Sequence, residues 1–248
     1  MWFKERMWFA LVSVLVVFLC APCGDAQTTK GVTIQGGDSW SDFSDLKMEL
    51  KFEQPKPVTV DPRKTLVQVV DMQETFVGPK QRQNMWRAER NIENVRKLLE
   101  LARLLDTVVV YQYSMAIPNP YEKRPKKFIL WGPIIDELKP VDRAKEYLVP
   151  KPTHDIFFHT PMDDLLNQLP KEIDTVIVTG TVTGTCVLWT TLGYRIRGYR
   201  VIIPMDAVIA RTPEDQAAAL SVMNIQSSNF PATITLSNMI RFEGATPK

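Results

Sequence analysis

The chain has 248 residues, of which 45% are hydrophobic and 23% charged, a balance that supports a packed globular core and argues against disorder. With 30 basic and 28 acidic residues the formal charge is +2, which gives no basic footprint for a nucleic acid or another polyanion. The length allows one large α/β domain or two small ones.

In chain order, Lys4 and Arg6 precede an apolar run from Trp8 to Cys20. That run has the length of a signal-peptide core and is short for a membrane span. Gly24-Asp25-Ala26 supplies the small residues for cleavage after Ala26. Residues 1–26 are therefore expected to be a secretory signal, favoured over an uncleaved anchor, so that the mature protein is extracytoplasmic and has no membrane span. Cleavage would remove Cys20 and Cys23 and leave Cys186 as a lone thiol. In an oxidising compartment a lone thiol must be buried or used.

Residues 27–60, with Gly36-Gly37 and several serines and prolines, read as an extended arm, and the domain proper is expected over 61–248. Thr65 to Asp71 is a buried-strand pattern ending in a carboxylate. From Arg87 to Leu105 the apolar residues Ala88, Ile92, Val95, Leu99 and Ala102 recur at helical spacing beside a charged face, which is most simply solvated surface. Asp106 to Gln112 is a third apolar run, followed by a long proline-rich connection over 113–145. Tyr147 to Lys151 is a short strand weakened by Pro150, and Thr160-Pro161-Met162 opens a helix with Thr160 as its cap.

Thr175 to Val178 is a β-branched run, and Gly180 and Gly184 punctuate the threonine-rich turn that follows. A helix is expected from about Val187 to Arg197, closed by Gly198. Cys186 thus lies where a strand's carboxyl end enters a helix N-terminus, a place that favours a thiolate. The alternative is that Cys186 is a small core residue. Tyr199 to Asp206 and Ala232 to Leu236 are further strands, and Thr212-Pro213-Glu214-Asp215 starts the last helix. Strands alternating with helices predict a three-layer, doubly wound α/β domain, with a mostly parallel sheet and helices on both faces.

In such a sheet Asp71, Lys151 and Cys186 would share the carboxyl edge. A carboxylate there can take a thiol's proton and return it to a leaving amine, and an ammonium favours both anions. Every parallel sheet also has polar strand ends, so convergence by chance is the alternative.

Three blocks carry a resemblance. Leu66-Val-Gln-Val-Val-Asp71-Met-Gln73-Glu-Thr-Phe76 is similar to an apolar strand ending in Asp-x-Gln with a nearby phenylalanine. Lys151-Pro-Thr-His-Asp-Ile-Phe157-Phe-His-Thr160 is similar to Lys-x-x-x-Ser-Ala-Phe-x-x-Thr, and Gly180-Thr-Val-Thr-Gly-Thr-Cys186-Val187 to Gly-Val-x-Thr-(Asn/Asp)-x-Cys-Val. In this order, from about Lys64 to Phe242, the chain resembles the isochorismatase-like cysteine hydrolases, among them nicotinamidases, N-carbamoylsarcosine amidases and ureidoacrylate hydrolases.

The resemblance implies Cys186 as nucleophile, Asp71 as general acid/base, and Lys151 as the residue that orients and charges the pair. It also implies a cis peptide between Thr181 and Val182, with the N–H groups of Val182 and Cys186 aimed at an oxyanion. The reaction implied is hydrolysis of a small amide or carbamoyl compound through a thioester, in a homo-oligomer of two or four copies. Departures are Asp155 and Ile156 in place of serine and alanine, and Gly184 where a polar side chain is common. Asp155 would either alter the charge preference of the pocket or face solvent.

Nicotinamidases carry a metal-binding Asp-x-His pair where this chain reads Tyr111-Gln112-Tyr113-Ser114-Met115. The two histidines, His154 and His159, are five apart and read as surface or capping residues, so neither metal nor cofactor is expected. Gln73, Phe76, Tyr113 and Trp131 are candidates for the substrate pocket, together with Trp86, although large aromatics are commonly core. The competing functions are vinyl-ether hydrolysis of isochorismate type and a secreted binding protein that has lost turnover.

Overall fold

The computed structural model describes residues 54–115, 132–141, 143–225 and 231–244. The expected signal, most of the arm and Trp131 lie outside them. Near the start, β1 (Val58–Val60) pairs in parallel with β9 (Ile240–Phe242), a two-stranded sheet beside the main one.

The β-branched runs form the main sheet. Its strands are β2 (Thr65–Val70), β3 (Val108–Ser114), β4 (Glu146–Lys151), β5 (Thr175–Thr181), β6 (Arg200–Pro204) and β8 (Thr233–Thr235). They lie in the order β4-β3-β2-β5-β6-β8, all parallel, and β7 (Val208–Ile209) pairs with the end of β5. β2 and β5 are buried at every position, as expected for central strands covered on both faces. Pro150 is accommodated because β4 is the sheet's edge, where a missing N–H breaks no ladder.

The chain winds outward from β2 through β3 to β4, then returns to β5 and winds the other way. The neighbours β2 and β5 therefore form the topological switch point, where ligands of such sheets bind beyond the carboxyl ends.

The helices are α1 (Glu74–Val77), α2 (Ala88–Leu104), α3 (Met162–Gln168), α4 (Leu188–Ile196) and α5 (Pro213–Met223). The predicted stripe of α2 packs on Val67, Val69, Val109 and Ile177 on one face of the sheet. On the other face Met162, Val187, Tyr194 and Leu220 pack on Leu66, Val70, Val110 and Val178. The result is the three-layer, doubly wound architecture that the alternating pattern predicts. Each fully buried aliphatic side chain in these two cores contributes about 1.5–3 kcal/mol.

Polar braces fix α4 on the sheet. Tyr194 Oη donates to Gln68 Oε1 at 2.6 Å, and Thr190 Oγ1 donates to Gln112 Oε1 at 2.9 Å. All four residues are buried, so these bonds select one seating of α4 and hence of the turn before it.

Two boundaries differ from expectation. Pro161, with no N–H to cap, takes the cap position of α3, and Thr160 supports it from one residue earlier by accepting from Met162 N at 3.3 Å. Before α4, Thr183–Val187 forms a wider π-helical turn, so the regular helix begins at Leu188. Among the described residues no helix is long and apolar enough to cross a membrane.

Candidate active site

The register of the sheet brings the strand ends together. Val70 lies opposite Gly180 of β5 and Gln112 of β3, and Ser114 lies opposite Lys151 of β4. Asp71, just past β2, has φ +47°, a left-handed turn that aspartate tolerates better than most residues. Its N–H donates to Gln112 O at 3.0 Å, which holds the turn on the neighbouring strand.

At Gly180 (φ +109°) a Cβ would lie 2.1 Å from Val70 O, so only glycine lets β5 run this close to β2 beneath the site. The next peptide but one, Thr181–Val182, is cis. The Val182 carbonyl accepts from Thr185 N at 3.0 Å and Val187 N at 3.2 Å, which pins the turn carrying Cys186.

Asp71, Lys151 and Cys186 meet. Lys151 Nζ lies 2.8 Å from Asp71 Oδ2 and 3.4 Å from Cys186 Sγ. The ammonium also donates to Thr153 O at 2.9 Å and Ser114 Oγ at 3.1 Å, and Ser114 Oγ donates onward to Asp71 Oδ1 at 3.3 Å. Asp71 and Lys151 are buried and Cys186 nearly so, with 5% of its surface exposed. Ser114 and Thr153 take up donors of the ammonium and Ser114 serves Asp71 Oδ1, whereas Asp71 Oδ2 is buried with the Lys151 ion pair and, among the described residues, no hydrogen-bond partner.

The electrostatics weigh between the two readings of Cys186. Burial pushes the Cys186 thiol up to about 12, and the Asp71 charge adds to the rise while the Lys151 ammonium opposes it. Desolvation is the largest influence on the thiol and outweighs the opposing ammonium.

The pocket candidates divide. A cavity of about 480 Å³ lies at the β3–β4 edge and is lined in part by Gln73, Tyr113, Ser114 and Gly132. It shares Ser114 with the buried cluster and does not include Cys186. The Gln73 amide braces its wall: Nε2 donates to Gly132 O at 2.7 Å and Ser114 O at 3.2 Å, and Oε1 accepts from Ser114 N at 2.7 Å. Phe76 packs against the α2-side core and is absent from the cavity lining. Trp131 lies outside the described residues.

Asp155 is half-buried and partly engaged by its own loop. Its Oδ1 accepts from Phe157 N at 2.8 Å and so folds its own loop. Among the described residues no three of His, Cys, Asp and Glu stand together as a metal-binding group.

Residues 65–237 match the Isochorismatase domain family. The chain belongs to the isochorismatase family. It is 34% identical over 90 residues to the uncharacterized isochorismatase family protein YaaI of Bacillus subtilis, covering 36% of this chain and about half (48%) of that relative's length. It is 28% identical over 165 residues to the ureidoacrylate amidohydrolase RutB of Rhizobium rhizogenes, covering 54% of this chain and 65% of RutB. The structure of N-carbamoylsarcosine amidase from Thermoplasma acidophilum superposes with a TM-score of 0.57 at 27% identity, covering 73% of this chain and 99% of the amidase.

Two residues within the isochorismatase-family match escaped the sequence reading. Ser114 bridges Lys151 and Asp71, and its signal was a hydroxyl at the carboxyl end of the strand between theirs. His154, read as surface or capping, is exposed yet places Nδ1 3.3 Å from Cys186 Sγ. Its proximity depends on the fold of a loop, which periodicity does not encode.

Proposed function

We propose that this chain is a secreted, metal-independent cysteine amidohydrolase that cleaves a C–N bond of a small amide or carbamoyl compound through Cys186, Asp71 and Lys151. The observation that supports it most is one buried ammonium in contact with both a thiol and a carboxylate at the switch point of the sheet. The names of two relatives, a ureidoacrylate amidohydrolase and an N-carbamoylsarcosine amidase, support the substrate class.

Burial raises the pKa of the thiol, so its attack calls for a base. Asp71 takes the proton as Sγ bonds to the carbonyl carbon and returns it to the leaving nitrogen as the C–N bond breaks. Lys151 pairs with Asp71 and touches the sulfur, so it holds the carboxylate beside the thiol. The N–H groups of Val182 and Cys186 receive the oxyanion, a type of contact worth roughly 10²–10³ in rate per donor. Water then hydrolyses the thioester.

The test is release of ammonia from ureidoacrylate and N-carbamoylsarcosine by the purified protein, with and without iodoacetamide and EDTA. Release that iodoacetamide abolishes and EDTA leaves unchanged is expected. Pyruvate release from isochorismate would identify the vinyl-ether reaction instead, and absence of turnover on all three would favour a binding protein.

A further inference from the structure

We propose that His154 is a second acid–base residue of this site and serves the hydrolysis of the thioester formed on Cys186; this rests on the cysteine-hydrolase reading above. The observation is the 3.3 Å approach of His154 Nδ1 to Cys186 Sγ. The loop that makes this approach is fixed by the site itself. Lys151 Nζ donates to Thr153 O at 2.9 Å, Asp155 N donates to Thr153 Oγ1 at 3.3 Å, and Phe157 N donates to Asp155 Oδ1 at 2.8 Å. The ammonium that touches the thiol therefore also holds the backbone immediately before His154.

The sulfur has one acid–base partner deep in the protein and another towards solvent. Asp71 is wholly buried, with Oδ2 facing Lys151 and Oδ1 accepting from Ser114. His154 is exposed. Among the described residues, the charged and titratable groups facing the Cys186–His154 pair include Lys151 from β4 and Asp71 from the end of β2, with Asp155 next along the loop and Arg197 after α4 acting on Asp155.

Once the leaving nitrogen has gone, the water that attacks the thioester arrives from the solvent side, where the imidazole stands. Nδ1 takes a proton from that water as its oxygen bonds to the acyl carbon. The C–S bond breaks, and the proton passes from Nδ1 to Sγ across the same contact. The acid is released, and the thiol and the neutral imidazole are restored. Asp71 serves formation of the thioester and His154 serves its hydrolysis.

The probe is p-nitrophenyl acetate, which separates the two halves. Acetylation of Cys186 releases p-nitrophenolate in a burst, and loss of the acetyl group, followed by intact-mass and peptide mass spectrometry, reports hydrolysis. The variant is His154→Gln. The control is His159→Gln, whose ring stacks edge-on against Phe158 with centroids 4.5 Å apart. Both positions are exposed, and unchanged circular dichroism checks folding.

His154→Gln is expected to keep the burst and accumulate acetyl-Cys186, with deacylation slowed about 10²-fold, the low end of general acid–base effects. It is also expected to change the dependence of deacylation rate on pH relative to wild type. His159→Gln is expected to behave as wild type. Acetyl-Cys186 that forms and clears equally fast, with the same pH profile, in wild type and His154→Gln would overturn the proposal and leave the nucleophile in place. Failure of the folded wild type to acetylate Cys186 at all would overturn the cysteine-hydrolase reading, and this proposal with it.

Discussion

Lys151 Nζ and Asp71 Oδ2 lie 2.8 Å apart with both side chains fully buried, although their strands, β4 and β2, are separated in the sheet by β3. Ser114 at the end of that intervening strand bonds both, so the pair is held by the register of three strands. Removing either partner leaves an uncompensated buried charge. Asp71→Asn and Lys151→Met are each expected to lower unfolding free energy by about 3–5 kcal/mol, with the double variant costing much less than their sum. Urea denaturation of the three variants checks this, and strict additivity would contradict it.

The thiol's reactivity should follow the charges beside it. Asp71 raises the Cys186 pKa and Lys151 lowers it. Asp71→Asn is therefore expected to move the pH midpoint of iodoacetamide labelling of folded protein downward relative to wild type, and Lys151→Met is expected not to. Labelling rates mapped to Cys186 by mass spectrometry supply the test. A midpoint that rises on Asp71→Asn would contradict the assigned electrostatics.

Stability should also depend on pH through this thiol. The unfolded thiol ionises near ~8.5 while the folded one holds its proton to about 12. Between these values the unfolded state binds fewer protons, so stability falls as pH rises. The contribution is fully present below the unfolded pKa and lost through the folded one. Wild type is expected to lose stability more steeply than Cys186→Ser over that window, as read by chemical denaturation at stepped pH, and equal slopes would exclude the buried-thiol description.

Gly180 is a further point of failure. A Cβ there would meet Val70 O at 2.1 Å and Val70 N at 2.7 Å, both backbone atoms of the adjoining central strand. Gly180→Ala is expected to cost at least the ~1–3 kcal/mol typical of overpacking, with added strain from the positive φ. Gly184→Ala, where a Cβ would meet Ala219 Cβ at an ordinary 3.8 Å, is expected to be tolerated. Comparison of their melting temperatures checks the contrast.

Much of the fold was legible because its strands are short apolar β-branched runs and α2 carries a clean amphipathic stripe. Asp71, Lys151 and Cys186 were legible as strand-end residues, since a parallel sheet gathers its carboxyl ends on one edge. Their relation in space was legible only through the three motif blocks. Ser114, His154 and the tasks of Gln73 and Asp155 were hidden because each depends on a side-chain hydrogen bond across 41 residues, on a loop's path, or on which of two neighbours a carboxylate faces. The thiol's state was left open between an activated and a buried residue for a related reason. Helix-end and charge effects are visible in a sequence, whereas the desolvation that outweighs the ammonium is known only once the packing is.

The most direct measurement is ammonia release from a panel of small ureido and carbamoyl compounds by wild type and Cys186→Ala, assayed side by side at equal folded concentration. Release by wild type and none by Cys186→Ala is expected of a hydrolase that works through this thiol. Equal release by both proteins would place the chemistry elsewhere and contradict the assignment of Cys186 as nucleophile.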